Sequence, residues 1–268
     1  MSTAIFFITP IHFIMKKIIL SGSILFLLGS VTNAQNFVGL KAGISIPNLS
    51  SNGSEQNPIN TGYSSRLGPD FAAFFETGIT KTFSIMPSLE FSSQGGKKDG
   101  FQAFTTPDSY AAYFPPGQAP PYLYADYNSQ AKMNYLVLAA LGKFNWPLGS
   151  KSPCSIYVDA GPFGALLLSA HQVTSGSSMI YADAQKQQPL TQSAQSFDNT
   201  QDIKSDLHKG NFGVEGDLGI ALNIPGGKVF LEGGVNYGFL NIQKGSENGK
   251  NQTGAATVRV GYAYKLKK

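Results

Sequence analysis

Ser169 and His171, two residues apart, are the pair best placed to do chemistry, and Asp183 and Asp206 follow in the same stretch. A serine beside an imidazole is the minimal nucleophile and base, with an acid as the usual third member. Such a trio would suit a barrel enzyme that modifies lipid A. Ser-x-His recurs by chance, however, and no oxyanion-stabilising motif accompanies it. His171 and His208 with Asp198, Asp202 and Asp206 form a second grouping whose spacings match no diagnostic metal motif. Cys154 is the sole cysteine, which excludes an internal disulfide and a cysteine-based metal cluster. The expectation is a chain that is not an enzyme and holds no metal or other cofactor.

A more regular set of reactive groups lies elsewhere. Lys41, Glu76, Glu90, Lys143, Asp159, Glu215, Asp217, Glu232 and Arg259 all fall on the polar side of segments in which apolar and polar residues alternate. In 37–47, Val38, Leu40, Ala42, Ile44 and Ile46 alternate with Gly39, Lys41, Gly43 and Ser45. In 83–91, Phe83, Ile85, Pro87, Leu89 and Phe91 oppose Ser84, Ser88 and Glu90. Segment 154–171 sets Ile156, Val158, Ala160, Leu166 and Leu168 against Tyr157, Asp159, Phe163 and Ser169. The same period of two runs through 70–80, 131–146, 211–224, 228–243 and 253–266. A period of two places alternate side chains on opposite faces of a strand.

The links between these eight segments alternate in length. Stretches 48–65, 96–130, 171–208 and 244–252 are long, whereas Lys81-Thr82, 147–152 and 225–227 are short. That rhythm predicts an all-β, eight-stranded antiparallel up-and-down transmembrane β-barrel with short periplasmic turns and long extracellular loops. Phe83, Phe144, Trp146, Tyr262 and Tyr264 would then form an aromatic belt at the inner interface. A soluble lipocalin-like barrel or sandwich is the rival fold, with the charged face in water. An eight-stranded barrel is just wide enough for its own side chains. The nine inward charges would therefore pack as a network, in which Lys41, Lys143 and Arg259 each need a carboxylate. A narrow ion or small-solute path is the alternative use of the same residues.

Lys16 and Lys17 before the apolar run 18–28, with Thr32-Asn33-Ala34 ahead of Gln35, read as a secretory signal. The run is too short to span a bilayer. Residues 1–34 are therefore expected to be a signal peptide, with 1–14 lying upstream of a start at Met15, and 35–268 the barrel domain. The signal directs export to the outer membrane of a Gram-negative bacterium. Scattered basic residues and a formal charge of +4 imply no nucleic-acid partner; outer-membrane lipid is the expected neighbour. Phe101, Phe104, Tyr110, Tyr113, Phe114, Tyr122, Tyr124 and Tyr127, stiffened by prolines, would give the loop 96–130 a binding surface or a lid. The Gln- and Ser-rich stretch 172–207 has few apolar anchors and reads as mobile, or ordered only by a partner.

Tyr135-Leu136-Val137-Leu138-Ala139-Ala140-Leu141-Gly142-Lys143-Phe144, followed by Tyr157-Val158-Asp159-Ala160-Gly161-Pro162-Phe163-Gly164, resembles the central signature of the PorT-like outer-membrane β-barrel proteins, often labelled porin family. Phe212-Gly213, Tyr237-Gly238-Phe239-Leu240-Asn241-Ile242 and Val260-Gly261-Tyr262 resemble that family's last strands. Val137 and Ala139 replace its usual Glu and Pro. The resemblance implies a barrel with a structural or partner-binding role, accessory to secretion or envelope assembly, with an envelope or secretion-system protein as partner.

Overall fold

Alternation at period two becomes eight long strands in the computed structural model, which describes residues 35–51, 57–245 and 249–267. The expected signal segment, 1–34, lies outside the described residues. The strands are β1 (Asn36–Ser50), β2 (Gly68–Gly78), β3 (Phe83–Thr105), β4 (Tyr122–Pro147), β5 (Cys154–Ser175), β6 (Gly210–Ile224), β7 (Gly227–Gly238) and β8 (Gln252–Lys265). Each pairs antiparallel with its neighbours in sequence, and β8 returns to pair with β1, so the sheet closes into a barrel. Closure satisfies every strand edge around the wall, which a sheet in hydrocarbon requires. Leu40, Leu138 and Leu218 stand 69%, 64% and 66% exposed on the outside. An apolar surface of that kind is costly in water and natural in lipid.

Inside, bulk is accommodated by glycine. Phe74 lies opposite Gly39, Tyr157 opposite Gly219 and Phe230 opposite Gly261 in the strand register. A Cβ built on any of the three glycines would overlap the facing ring. The chain's 30 glycines therefore include sockets for inward aromatics. At the end with short turns, Pro225 and Gly226 join β6 to β7, and Gly226 takes φ +85°, as the second position of such a turn demands. At this end Phe144 stacks on Trp146 and meets Phe83 at a tilt, with centroids 6.1 and 4.8 Å apart.

The opposite end departs from the sequence-based expectation. Most of 96–130 is not loop: β3 and β4 stay paired out to Thr105 and Tyr122. Strand β3 has 23 residues, where about 9–11 cross a bilayer, so a hairpin stem projects beyond the membrane. A four-residue helix, α1 (Asp108–Ala111), sits at its tip. The stretch 172–207 is also built rather than loose. Ser177–Ser178 pairs with Gln195–Ser196, and Asn199–Asp202 adds to the outer end of β5. Its few aromatics suffice, because Phe197 stacks on Tyr127 at 4.6 Å and Tyr181 meets Phe101 edge-on at 5.9 Å. Strand β7 ends at Gly238, not 243, and Ile242 N–H bonds instead to Asn251 O.

Folded in detergent and left unboiled, the chain from Gln35 should run ahead of the boiled sample on a denaturing gel and give a β-type circular dichroism spectrum. Absence of that heat-dependent shift would contradict a closed wall.

Candidate functional site in the barrel interior

Lys41 and Arg259 project inward from β1 and β8, whose register holds Lys41 opposite Gly261 and Arg259 opposite Gly43. Each long cation thus extends over an inward glycine. Arg259 is buried and meets four carboxylates. Its Nη1 lies 2.8 Å from Glu90 Oε2 and 3.3 Å from Asp70 Oδ1, and its Nη2 lies 2.6 Å from Asp217 Oδ1. Nε approaches Glu232 Oε1 at 3.0 Å as an ion-pair contact without hydrogen-bond alignment. Lys41 Nζ donates to the same Glu232 Oε1 at 2.8 Å and lies 3.6 Å from Asp217 Oδ2. Gly234, opposite Asp217 on β7, leaves the room this needs, since a Cβ there would overlap Asp217 Oδ1.

A second cluster lies nearer the end with short turns. Glu76 accepts from Lys228 at 2.9 Å through both oxygens, from Lys143 at 3.4 Å and from the Ser84 hydroxyl at 3.3 Å. Tyr157 joins the two clusters. Its hydroxyl donates to Glu232 Oε2 at 2.7 Å, and its ring receives Lys143 Nζ at 3.7 Å from the centroid. Phe74 and Phe230 pack beside it, edge to face. All nine residues of the expected inward set are buried inside the wall. Seven join the two clusters; Asp159 and Glu215 flank them. Asp159 stands opposite Asp217 and Lys143 in the register, and neither of its oxygens has a hydrogen-bond partner.

Asp70 and Lys228 belong to the network and were absent from the expected set. Parity could have found both, because Asp70 shares the inward face of Glu76 and Lys228 that of Glu232. Asp159, Asp217 and Glu232 bring one oxygen each within 4.8 Å of one another. They are the described residues that could hold a metal ion, but Lys41, Arg259 and Tyr157 already engage Asp217 and Glu232. His171 and His208 join no such grouping among the described residues.

Two cavities bracket the network. One of about 450 Å³ opens at the end with short turns, lined by Phe37, Glu76, Thr80, Asn145, Asn223 and Lys228 among others. One of about 330 Å³ opens at the other mouth, between Tyr63, Met133, Gln172, Leu207, Ile242 and Asn251. Between them a pocket of about 10 Å³ beside Glu90, Tyr135, Phe163 and Glu215 is room for one water.

The Ser169–His171 pair is rearranged by a bulge. Tyr135 pairs with Leu167 but Asn134 pairs with Ser169, so Leu168 is an extra residue and the inward parity of β5 reverses beyond it. Ser169, expected inside, shares the outward face of Asn134. Its hydroxyl accepts from Asn134 Nδ2 at 3.0 Å, and Ser93 and Arg66 continue this polar chain across the wall. His171 instead sits opposite Lys132 and Asp202.

Of the eight loop aromatics, Phe101, Phe104, Tyr124 and Tyr127 are spent on packing within the stem and against Phe197 and Tyr181. Tyr110 and Tyr113 stack on each other at the tip, and Tyr113 is 71% exposed. Phe114 and Tyr122 are half-buried beside them. The surface expected from the sequence thus narrows to the tip. In the stem, outside the membrane, burial and the neighbouring Tyr63 push the Tyr127 phenol up to about 12.

The sequence matches the family model described as "Outer membrane protein beta-barrel domain" over residues 33–244. No curated relative matches it. Among solved structures, it is similar to Ail of Yersinia pestis at 9% identity, over 86% of this chain and 99% of that one, with a TM-score of 0.35. Similarity to Neisserial surface protein A is 12% identity, over 85% and 97%, with a TM-score of 0.37. A major outer membrane protein of Thermus thermophilus gives 12% identity, over 87% and 100%, with a TM-score of 0.42.

Replacing Arg259 by Met should leave Asp70, Glu90, Asp217 and Glu232 without their shared cation and cost about 3–5 kcal/mol, read as a lower urea midpoint in vesicles; an unchanged midpoint would count against the network. Tyr127 gives a pH test. Its folded pKa lies above the ordinary value of about 10, so the stabilisation of its neutral form is complete below pH ~10 and fades as pH rises towards 12. Tyrosinate absorbance of wild type minus Tyr127→Phe should therefore develop only in that upper window.

Proposed function

Because the chain belongs to the family of the outer membrane protein β-barrel domain, we propose that it is a noncatalytic outer-membrane scaffold that presents a partner-binding surface outside the cell. One observation carries this reading: the lumen between the two mouths is occupied by Arg259, Lys41 and the carboxylates around them. A packed interior suits a wall that holds something up better than one that lets something through. The stem supports the same reading, since β3 and β4 continue as a paired ladder beyond the membrane and hold Tyr110 and Tyr113 at its far end. Rigid barrels commonly act through the loops they display. An accessory role in secretion or envelope assembly, with a protein of that machinery at the tip, is the specific form proposed.

The lipid-A-modifying alternative loses support because Ser169 bonds to Asn134 on the outside of the wall. A narrow solute path keeps one observation in its favour, the cavity at each mouth. Planar-bilayer recording separates it from the scaffold. The purified barrel should give no steady single-channel current in salt solution. Reproducible unitary currents, lost or altered in Arg259→Met, would overturn the scaffold in favour of a conducting interior.

A further inference from the structure

Around the outer rim the apolar collar does not end in the same way on all sides. Beside β1, β7 and β8 it gives way to neutral polar groups, Asn48, Tyr237 and Gln252. Beside β4, β5 and β6 it ends at Leu166, Leu168 and Phe212, all exposed, and cations gather immediately above it. The bulge in β5 sets Leu168 opposite no residue of β4, and its carbonyl accepts from Lys204 Nζ at 2.6 Å. That contact holds an ammonium at the edge of the lipid-facing surface with further N–H groups to offer. Lys209 does not belong to this face, since its carbonyl accepts from Leu167 N–H at 2.7 Å and sets it opposite the buried Leu167, in the inward parity of Asn211. Lys132 shares the outward face of Asn134 and Leu136 and stands opposite His171.

Asp202, opposite His171, and Asp206, in the same short turn as Lys204, are carboxylates of this patch; Asp202 Oδ1 accepts from the Lys204 backbone N–H at 2.8 Å and Asp206 Oδ1 from the Ser205 hydroxyl at 2.9 Å. The exposed ion pairs elsewhere, Lys97–Asp99 and Lys186–Asp126, involve neither Lys132 nor Lys204. The polar chain Arg66, Ser93, Asn134 and Ser169 crosses the wall at the level of the bulge and marks where hydrocarbon must stop.

We propose that this side of the rim docks the phosphate groups of a phosphorylated glycolipid of the outer leaflet, with Lys132 and Lys204 as the phosphate-binding cations. Two surfaces meet there in the order such a lipid needs. Its acyl chains lie against Leu166, Leu168 and Phe212, and its phosphates reach the ammonium groups directly above. Charge-assisted hydrogen bonds from ammonium to phosphate are among the stronger polar contacts available at an interface, and basic residues flanking an apolar span are the usual means of holding anionic lipid heads. A free phosphate ion would use the same cations but would gain nothing from the apolar collar. The lipid is therefore the occupant the geometry favours. This site is separate from the stem tip, so it stands whether or not the tip binds a partner.

Native mass spectrometry of the full barrel in non-ionic detergent tests the proposal, with bisphosphorylated lipid A and its dephosphorylated counterpart as probes and inorganic phosphate as competitor. The heat-dependent gel shift is run on every variant as a check of folding. Wild type should retain the phosphorylated lipid in preference. The double variant Lys132→Gln/Lys204→Gln should bind it on the order of 10-fold more weakly. Lys204→Gln alone should weaken binding part of the way. A control of equal charge change at the other end, Lys81→Gln/Lys151→Gln, should bind as wild type does. Equal retention of both lipids, equal loss in the two double variants, or displacement by equimolar inorganic phosphate would each overturn the proposal.

Discussion

A ring of eight strands leaves an interior about as wide as the side chains that point into it, and that narrowness forces inward charges into contact. Arg259 is where the constraint is most visible. Four carboxylates from β2, β3, β6 and β7 converge on one guanidinium borne by β8. A buried charge left unpaired is costly, so this network ties strands that are distant in sequence to one angular arrangement. Register follows from it, because a slip of one residue would turn Lys41 and Arg259 out into lipid.

The same narrow space explains the partnership of large and absent side chains. Phe74, Tyr157 and Phe230 fill the interior only because Gly39, Gly219 and Gly261 stand opposite them. Tyr157 then serves both halves of the charge network, with its ring towards Lys143 and its hydroxyl on Glu232. Packing and electrostatics are thus one arrangement within the wall.

Beyond the membrane the rules change. There both faces of the sheet can meet water, and order comes from apolar contact between hairpin and loop rather than from ion pairs. Phe197 on Tyr127 and Tyr181 against Phe101 bring the segments that follow β5 onto the two faces of the β3–β4 stem. A composition poor in apolar residues was compatible with that outcome because the stem supplied the missing partners. The bulge at Leu168 stands at the boundary between the two regimes, where it turns Ser169 outwards and offers Lys204 a carbonyl.

Much of this was legible in the residues themselves. Period-two alternation and the rhythm of short and long links determined the strand count, the antiparallel wall, and the inward placement of Lys41, Glu76, Glu90, Lys143, Asp159, Glu215, Asp217, Glu232 and Arg259, because a strand's two faces are fixed by parity alone. Parity would equally have reached Asp70 and Lys228. Which carboxylate meets which cation was decided only by the closed barrel, since Arg259 and Glu90 are 169 positions apart in the chain. The extent of the stem and the reversal at Leu168 were also tertiary decisions. Ladder pairing can continue through residues with no apolar alternation, and a single extra residue in a strand leaves no mark in composition yet moves every later side chain to the other face.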